Sequence, residues 1–214
     1  MDTLDPHRPI EVTRGRRLPH WYQPGSTHFL TTRLRDAVPE RLTTRWRLDR
    51  DLWLRRHGLA PEDPAWRERF AELPESERLA FHRLFSDGFQ RLLDAGHGAC
   101  TLADPRAAAI LASTLRHFDG QRYHLGDFVV MPNHLHVLFC PLEGHDAGTI
   151  SASWKRFSAT AIHRLTGQSG RFWQVESFDH LVRSQPKLRR IRRYIEENPA
   201  GLAPGTFLYH RAAG

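Results

Sequence analysis

Residues 131–139 read MPNHLHVLF, and this stretch decides the fold. An apolar, β-rich segment at residues 123–131 leads into it, and a Pro-Asn pair separates the two segments, which predicts a strand–turn–strand hairpin. Because alternate residues of a strand point to the same face, we expect His134 and His136 to lie side by side. Two converging imidazoles suit one divalent metal ion. A His-x-His pair is also common among ordinary strand histidines, so both interpretations stay open at this point.

The elements around the hairpin predict an α+β fold. A β-rich segment precedes a long, charged, helix-periodic block, and further helices flank the hairpin on both sides. Without that block, the order β-α-β-β-α is typical of a ferredoxin-like core, an antiparallel sheet with helices on one face. We therefore expect residues 1–214 to form one domain, with a helical insertion at about 36–104 and a basic C-terminal helix at about 186–198.

The last helix carries a second group of candidate residues. Tyr194 and Asn198 are four residues apart and share a face, beside an apolar stripe that includes Ile191 and Ile195. A phenol has a pKa near 10, and neighbouring guanidinium groups favour its ionised, nucleophilic form. The alternative is an ordinary amphipathic helix with a half-buried tyrosine and an asparagine that begins its C-terminal cap.

The charge of the chain is concentrated near its C-terminus. Residues 1–150 contain 20 Lys or Arg and 20 Asp or Glu, whereas residues 151–214 contain 11 and 4, so this last segment carries the whole net charge of +7. Only two basic residues are lysines. Guanidinium groups match phosphates bidentately, so this excess suggests a polyanionic partner such as nucleic acid. The alternatives are a solvated basic face and arginine usage set by genome composition.

Composition excludes several classes of protein. Hydrophobic residues make up 40% and charged residues 26% of the chain, which rules out a disordered or collagen-like protein. The two cysteines cannot form a disulfide scaffold, and neither an apolar run long enough to span a membrane nor a secretory signal is present. We expect a cytoplasmic protein without a membrane partner.

Four motifs in order then support a resemblance over residues 16–202. They are the MPNHLHVLF stretch, WKRF at residues 154–157, FWQ with FDH and Arg183 at residues 172–183, and RYIEENP at residues 193–199, with RRLPHW at residues 16–21 near the start. This set resembles the single-tyrosine transposases of the HUH endonuclease superfamily and, among them, the REP-associated tyrosine transposases of bacteria. The insertion at about 36–104 is longer than in compact relatives.

The resemblance implies a metal-dependent DNA nuclease and strand transferase. His134 and His136 would be metal ligands, Asn198 the third ligand, and Tyr194 the nucleophile that forms a 5′-phosphotyrosine intermediate. The cofactor would be Mg²⁺ or Mn²⁺, and imidazole plus amide ligation suits Mn²⁺ better. The partner would be single-stranded DNA with palindromic hairpins, and the protein would be bacterial and nucleoid-associated.

Further residues are candidates for DNA contacts or for supporting the site. The basic candidates for the DNA backbone are Lys155, Arg156, Arg183, Arg189, Arg190 and Arg193. Trp154, Phe172 and Trp173 are available for base stacking, although each is more often a core residue than a stacking platform. Asp179 and His180 could steer a hydroxyl or phosphate, or form a buried Asp–His pair that anchors a loop. Glu176 is a possible acid or base nearby.

Two other functions remain open from the sequence. One is a domesticated, non-catalytic protein that binds hairpin DNA, and the other is a metal-dependent phosphodiesterase in which water attacks and Tyr194 only packs. The complete set of two histidines, tyrosine and asparagine argues against a pure binding protein. The sequence favours a monomer slightly over a homodimer, and it leaves the target DNA and continued transposition undetermined.

Overall fold

The computed structural model describes residues 1–8, 11–14, 19–63, 65–175 and 177–212. The chain divides into two compact units, Met1–Arg35 with Cys100–Gly214, and Asp36–Ala99. The second unit begins where the predicted insertion begins and ends at Ala99 rather than near residue 104. The next residues, Thr101–Ala103, form a short 3₁₀ turn that belongs to the first unit.

The described residues of the first unit form an antiparallel sheet of five strands and a separate two-stranded hairpin. The hairpin strands are β1 (Glu11–Arg14) and β2 (Pro19–Tyr22). The sheet strands are β3 (His28–Arg33), β4 (Tyr123–Val130), β5 (His134–Pro141), β6 (Phe178–Leu181) and β7 (Leu208–His210). Their order across the sheet is β6-β3-β5-β4-β7, with every pairing antiparallel.

The predicted α+β class, the antiparallel sheet and the hairpin of β4 and β5 are confirmed. The sequence analysis missed β7, because three residues are too few to show an alternating pattern. It also missed the pairing of β1 with β2. Of the RRLPHW stretch, residues 16–18 lie outside the described ranges.

Helices α5 (Pro105–Arg116) and α6 (Ala147–Thr166) follow in this unit and pack against each other. The Asp104 carboxylate caps α5 by accepting a hydrogen bond from the backbone N–H of Arg106. On β5, the Phe139 ring lies 4.8 Å from the Trp154 ring of α6, measured between centroids. This face of the sheet is therefore the one that α6 covers.

The last helix of this unit, α7 (Gln185–Glu197), lies on the opposite face. Its apolar residues Leu188, Ile191 and Ile195 are buried in one cluster with sheet residues that include Leu138. Because neighbouring strand residues point in opposite directions, Leu138 and Phe139 mark the two faces. The core helices α5 and α6 thus share one face, as predicted, and α7 adds a layer on the other.

The second unit contains helices joined by tight turns. They are α1 (Glu40–Arg56), α2 (Trp66–Glu72), α3 (Glu75–Phe81) and α4 (Asp87–Asp94), with a π-helical turn between α3 and α4. Leu54, Leu59, Phe81 and Phe85 form its buried core, surrounded by partly buried tryptophans and further apolar side chains. Within the described ranges, no helix of either unit is long and apolar enough to cross a membrane.

A buried histidine lies on the α6 side of the sheet. His28 of β3 is fully buried, and its ring packs against the rings of Tyr22 and Phe139. Neither ring nitrogen has a hydrogen-bond partner among the described residues. Burial, with a smaller contribution from the charge of His180, lowers the pKa of His28 to about 4.

The position of α7 depends on its buried stripe, so we expect Ile195→Ala to lower the free energy of unfolding by about 2–5 kcal/mol. The control is Glu197→Ala, whose side chain is exposed on the same helix and whose loss removes no packing. Urea denaturation followed by circular dichroism measures both. Equal midpoints for the two variants would contradict the described packing of α7.

His28 also predicts a pH dependence of stability. In the unfolded chain its pKa returns to about 6.5. Between pH 6.5 and about pH 4, His28 binds a proton in the unfolded state but not in the folded state. The contribution of neutral His28 to the free energy of unfolding is therefore complete above pH 6.5 and decreases as the pH falls. We expect His28→Phe to reduce the slope of the free energy of unfolding against pH in this range by about 1.4 kcal/mol per pH unit. Exposed His124→Gln is the control, and stability curves parallel to the wild type for both would refute the effect.

Candidate functional site

The two histidines of strand β5 lie on the face of the sheet that α7 covers. His134 and His136 are both fully buried on β5. Their Nε2 atoms are 3.1 Å apart and their ring centroids 4.7 Å apart. The strand alternation predicted this convergence, and the described contacts agree with it.

A polar neighbour holds each imidazole through its Nδ1 atom. The Nδ1 of His134 lies 2.8 Å from the Asn133 amide oxygen, and the Nδ1 of His136 lies 2.7 Å from the Thr31 hydroxyl. Because an amide oxygen only accepts, the Nδ1 of His134 carries the proton and its Nε2 keeps a lone pair. Such partners orient histidines that bind metals.

Burial keeps both imidazoles neutral. It lowers the pKa of His134 to about 3. It also lowers the pKa of His136 well below the ordinary value, and the neighbouring His134 adds to this effect. Neutral imidazole is the form that binds a metal ion, so the pair is ready for that role near neutral pH.

Helix α7 brings the tyrosine to this pair. The hydroxyl oxygen of Tyr194 lies 3.1 Å from the Nε2 of His136, and the two ring centroids are 5.1 Å apart. Phe29 supports the arrangement, because its ring stacks on His136 and meets the Tyr194 ring edge-on. Residues far apart in the chain thus meet at one point between sheet and helix.

Asn198 lies one turn after Tyr194, at the C-cap of α7. Its Oδ1 atom is buried and has no hydrogen-bond partner among the described residues. An unpaired buried acceptor costs about 1–3 kcal/mol, which a bound cation would offset. The structure brings together His134, His136 and Tyr194. Asn198 lies on the same side of α7 as Tyr194, but no described contact joins it to the histidines.

These donors fit a divalent metal ion. Metal–nitrogen bonds of about 2.1 Å place neighbouring ligands about 3 Å apart, close to the observed separation of the two Nε2 atoms. Among the described residues, no group of three or more His, Cys, Asp or Glu side chains could hold a metal. A third protein ligand there would therefore be an amide or a hydroxyl, for which Asn198 Oδ1 is the orphaned candidate.

Two predicted DNA contacts do not lie on the Tyr194 face. Lys155 is on α6, and its ammonium group donates to the carbonyl oxygens of Gln174 and Val175 and to the Ser177 hydroxyl. It therefore ties α6 to the segment before β6. Arg156, on the same helix, is exposed and lies over the Phe157 ring.

The other predicted basic residues are on or just before α7, and all are exposed: Arg183, Arg189, Arg190 and Arg193. Arg190 precedes Tyr194 by four residues and shares its side of the helix, whereas Arg189 lies on the other side. In the described part of the chain, no carboxylate pairs with Arg189, Arg190 or Arg193. Arg192, by contrast, lies 3.7 Å from the buried carboxylate of Asp127.

Asp179 and His180 do not form a pair. Asp179 is opposite Leu30 on the α6 face, whereas His180 is opposite Phe29 on the Tyr194 face. The His180 ring meets the edge of Phe29, and burial, Lys187 and Arg183 together lower its pKa to about 4. Glu176 lies outside the described residues.

The interpretation that the three aromatic candidates are core residues, which the sequence favours, is confirmed. Trp154, Phe172 and Trp173 are between 3% and 8% exposed, so no base can reach them. Their indole groups have internal partners, because Trp154 donates to the Tyr123 hydroxyl and Trp173 to the Ser158 hydroxyl. These aromatic residues belong to the core.

The sequence analysis overlooked several residues that surround the site. Thr31 and Asn133 hold the imidazoles, and Arg33 lies directly opposite His134 on the same face. Lys187 lies near His180 and shares the Tyr194 side of α7. The alternation of residues 29, 31 and 33 was visible, but only the register between β3 and β5 shows which histidine each one meets.

Comparisons with known proteins add one finding. No protein-family model matches the chain, and no curated protein matches it. Among solved structures, "Structure of the REP associates tyrosine transposase bound to a REP hairpin" matches at a TM-score of 0.42 and 18% identity, covering 87% of this chain and 72% of that one. Similarity this low transfers no activity, so the proposals below rest on contacts within this chain.

The Thr31 hydroxyl is the only described partner of the Nδ1 of buried His136. We expect Thr31→Val to lower the free energy of unfolding by about 1–3 kcal/mol, because a buried imidazole nitrogen loses its partner. The matched control is Thr32→Val. Thr32 faces the other layer, and its buried hydroxyl has no partner among the described residues, so this change should be neutral or stabilising. Urea denaturation compares the two, and equal losses would contradict the site.

Proposed function

We propose that this protein is a metal-dependent DNA nuclease and strand transferase of the single-tyrosine transposase kind. Its substrate would be single-stranded DNA near a palindromic hairpin. One observation carries the proposal: the Tyr194 hydroxyl lies 3.1 Å from the Nε2 of His136, which lies 3.1 Å from the Nε2 of His134. A tyrosine beside two neutral imidazoles is placed where a metal ion held by them could activate the phenol as a nucleophile.

The reaction proceeds by attack of the Tyr194 oxygen on a phosphodiester. The Tyr194 hydroxyl gives up its proton, and its oxygen bonds to phosphorus as the bond from phosphorus to the 3′ oxygen breaks. The leaving strand takes up a proton in exchange and ends in a 3′-hydroxyl. The other strand stays joined to Tyr194 through its 5′ phosphate. Because the phosphodiester energy is conserved in this link, a second 3′-hydroxyl can reverse the step and join two strands.

The chain's own residues prepare this step. Arg190 and Lys187 lie on the Tyr194 side of α7, where positive charge favours the phenolate. Phe29 packs against the Tyr194 ring, and Thr31 and Asn133 fix the two imidazoles. These contacts hold the nucleophile in place before substrate arrives, which lowers the entropic cost of reaching the transition state.

A divalent ion would be held by His134 Nε2, His136 Nε2 and Asn198 Oδ1. When bound there, Mn²⁺ or Mg²⁺ would neutralise charge on a non-bridging phosphate oxygen. Two imidazoles and an amide favour Mn²⁺ over an ion that prefers oxygen ligands alone.

Tyr194 reaches His136 of its own chain, so the proposed site needs no tyrosine from a second chain. This contact supports an active monomer. With single-stranded DNA as substrate, we place the protein in the bacterial cytoplasm, associated with the nucleoid.

We expect a covalent adduct between Tyr194 and DNA. A hairpin oligonucleotide from the repeats that flank the gene, labelled at its 3′ end, is incubated with protein and Mn²⁺ and resolved on a denaturing gel. The wild type should give a slow, denaturation-resistant band, and Tyr194→Phe should abolish it, because phenylalanine has no nucleophilic oxygen. The matched control is Tyr209→Phe, since Tyr209 packs against the same apolar cluster and should retain the adduct.

Other results would identify the two alternative functions. Cleavage without an adduct, unchanged in Tyr194→Phe, would show a phosphodiesterase that uses water. A shifted band on a native gel without any cleavage would show a protein that only binds DNA.

A further inference from the structure

An aromatic side chain is exposed on the sheet close to the candidate site. Phe178 begins β6, an edge strand of the described sheet, and 55% of it is exposed. Phe178 pairs with Thr31 across β3 and β6, and Thr31 pairs with His136 across β3 and β5. Paired residues share a face, so Phe178 and His136 lie in one row, two strand spacings or about 10 Å apart.

A series of rings continues from Phe178 toward the nucleophile. The Phe178 ring lies 5.6 Å from His180, His180 lies 5.4 Å from Phe29, and Phe29 lies 6.2 Å from Tyr194. The inner rings are buried or half-buried, so Phe178 is the member of this series that solvent reaches most.

Positive charge lies beside the same rings. Arg183 and Lys187 are both exposed and both act on His180 electrostatically. An exposed aromatic ring next to cations is the combination with which proteins bind single-stranded nucleic acid: the ring stacks on a base and the cations contact the phosphates. A protein partner would need a broader apolar surface than one ring bordered by cations.

A second exposed phenylalanine provides a comparison. Phe157 on α6 is 52% exposed, and Arg156 lies over its ring. It lies on the helix that covers the other face of the sheet, away from Tyr194. Phe157 therefore matches Phe178 in residue type, exposure and a neighbouring arginine, and differs in position.

We infer that Phe178 is a stacking platform for a base of the DNA strand beside the bond that Tyr194 attacks, and that Arg183 and Lys187 bind the neighbouring phosphates. This inference rests on the proposed function and adds a binding residue to it. A base stacked on Phe178 would position the strand so that an adjacent phosphate lies over the two imidazoles. Sequence preference from such a contact would be weak, because every base has a stacking face.

The test measures binding without cleavage. Two fluorescein-labelled strands of about 20 nucleotides, longer than a typical single-strand site, are used: oligo-dT and an abasic strand with the same number of phosphates. Fluorescence anisotropy gives Kd for the Tyr194→Phe protein, with and without Phe178→Ala. We expect Phe178→Ala to weaken oligo-dT binding about 10-fold and to leave abasic-strand binding unchanged. Phe178→Trp should restore oligo-dT affinity, and Phe157→Ala should leave both affinities unchanged.

The cations have a separate readout. Replacing Arg183 and Lys187 with glutamine should weaken binding of both strands and reduce the slope of log Kd against log salt by about 1.4, or about 0.7 per phosphate contact. Equal binding of oligo-dT by Phe178→Ala and its parent, or equal losses for both strands, would overturn the platform. If either result occurs while the wild type still forms the covalent adduct, only the stacking role of Phe178 is contradicted. If the wild type forms no adduct in the gel assay, the proposed nuclease function is contradicted.

Discussion

The site depends on two neutral, buried imidazoles whose Nε2 atoms lie 3.1 Å apart. The amide oxygen of Asn133 keeps the proton of His134 on Nδ1, so the Nε2 of His134 is an acceptor. The Thr31 hydroxyl can donate or accept, so His136 can carry its proton on either nitrogen without losing that hydrogen bond. With the proton on Nε2, His136 donates to His134. With the proton on Nδ1, both Nε2 lone pairs are available to a cation, and Thr31 thus allows the site to exist with or without one.

The topology of the sheet determines what can reach this pair. β5 lies between β3 and β4, and every residue in it is buried. Its two faces therefore meet different layers, and the histidines share theirs with α7. The apolar stripe of α7 packs on that face and places Tyr194 beside His136. The geometry of the candidate site thus comes from core packing, since Ile191 and Ile195 hold the same helix that carries Tyr194.

Much of this was predictable from the sequence, and the failures have physical causes. Alternation placed His134 and His136 on one face, and helical spacing placed Tyr194 and Asn198 on one side. Alternation also separates Asp179 from His180, but a four-residue strand is too short to recognise. The sequence favoured a core position for the tryptophans, but it could not show what satisfies their buried indole N–H groups, because those partners are distant in sequence.

The positions of the basic residues near the C-terminus differ in what they leave exposed, because several of these side chains are engaged by other residues of the fold. Lys155 is used inside the fold, Arg192 pairs with Asp127, and Arg211 lies near Glu196. The cations that remain on α7 follow from the geometry of the helix. At 100° per residue, Ile191 and Ile195 face the sheet, Tyr194 borders them, and Arg190 and Arg193 follow outward. A shift of the helix by one residue would move the Tyr194 phenol away from the imidazoles and would turn Arg190 and Arg193 at the same time. The positions of the phenol and of the guanidinium groups are therefore linked through one buried stripe.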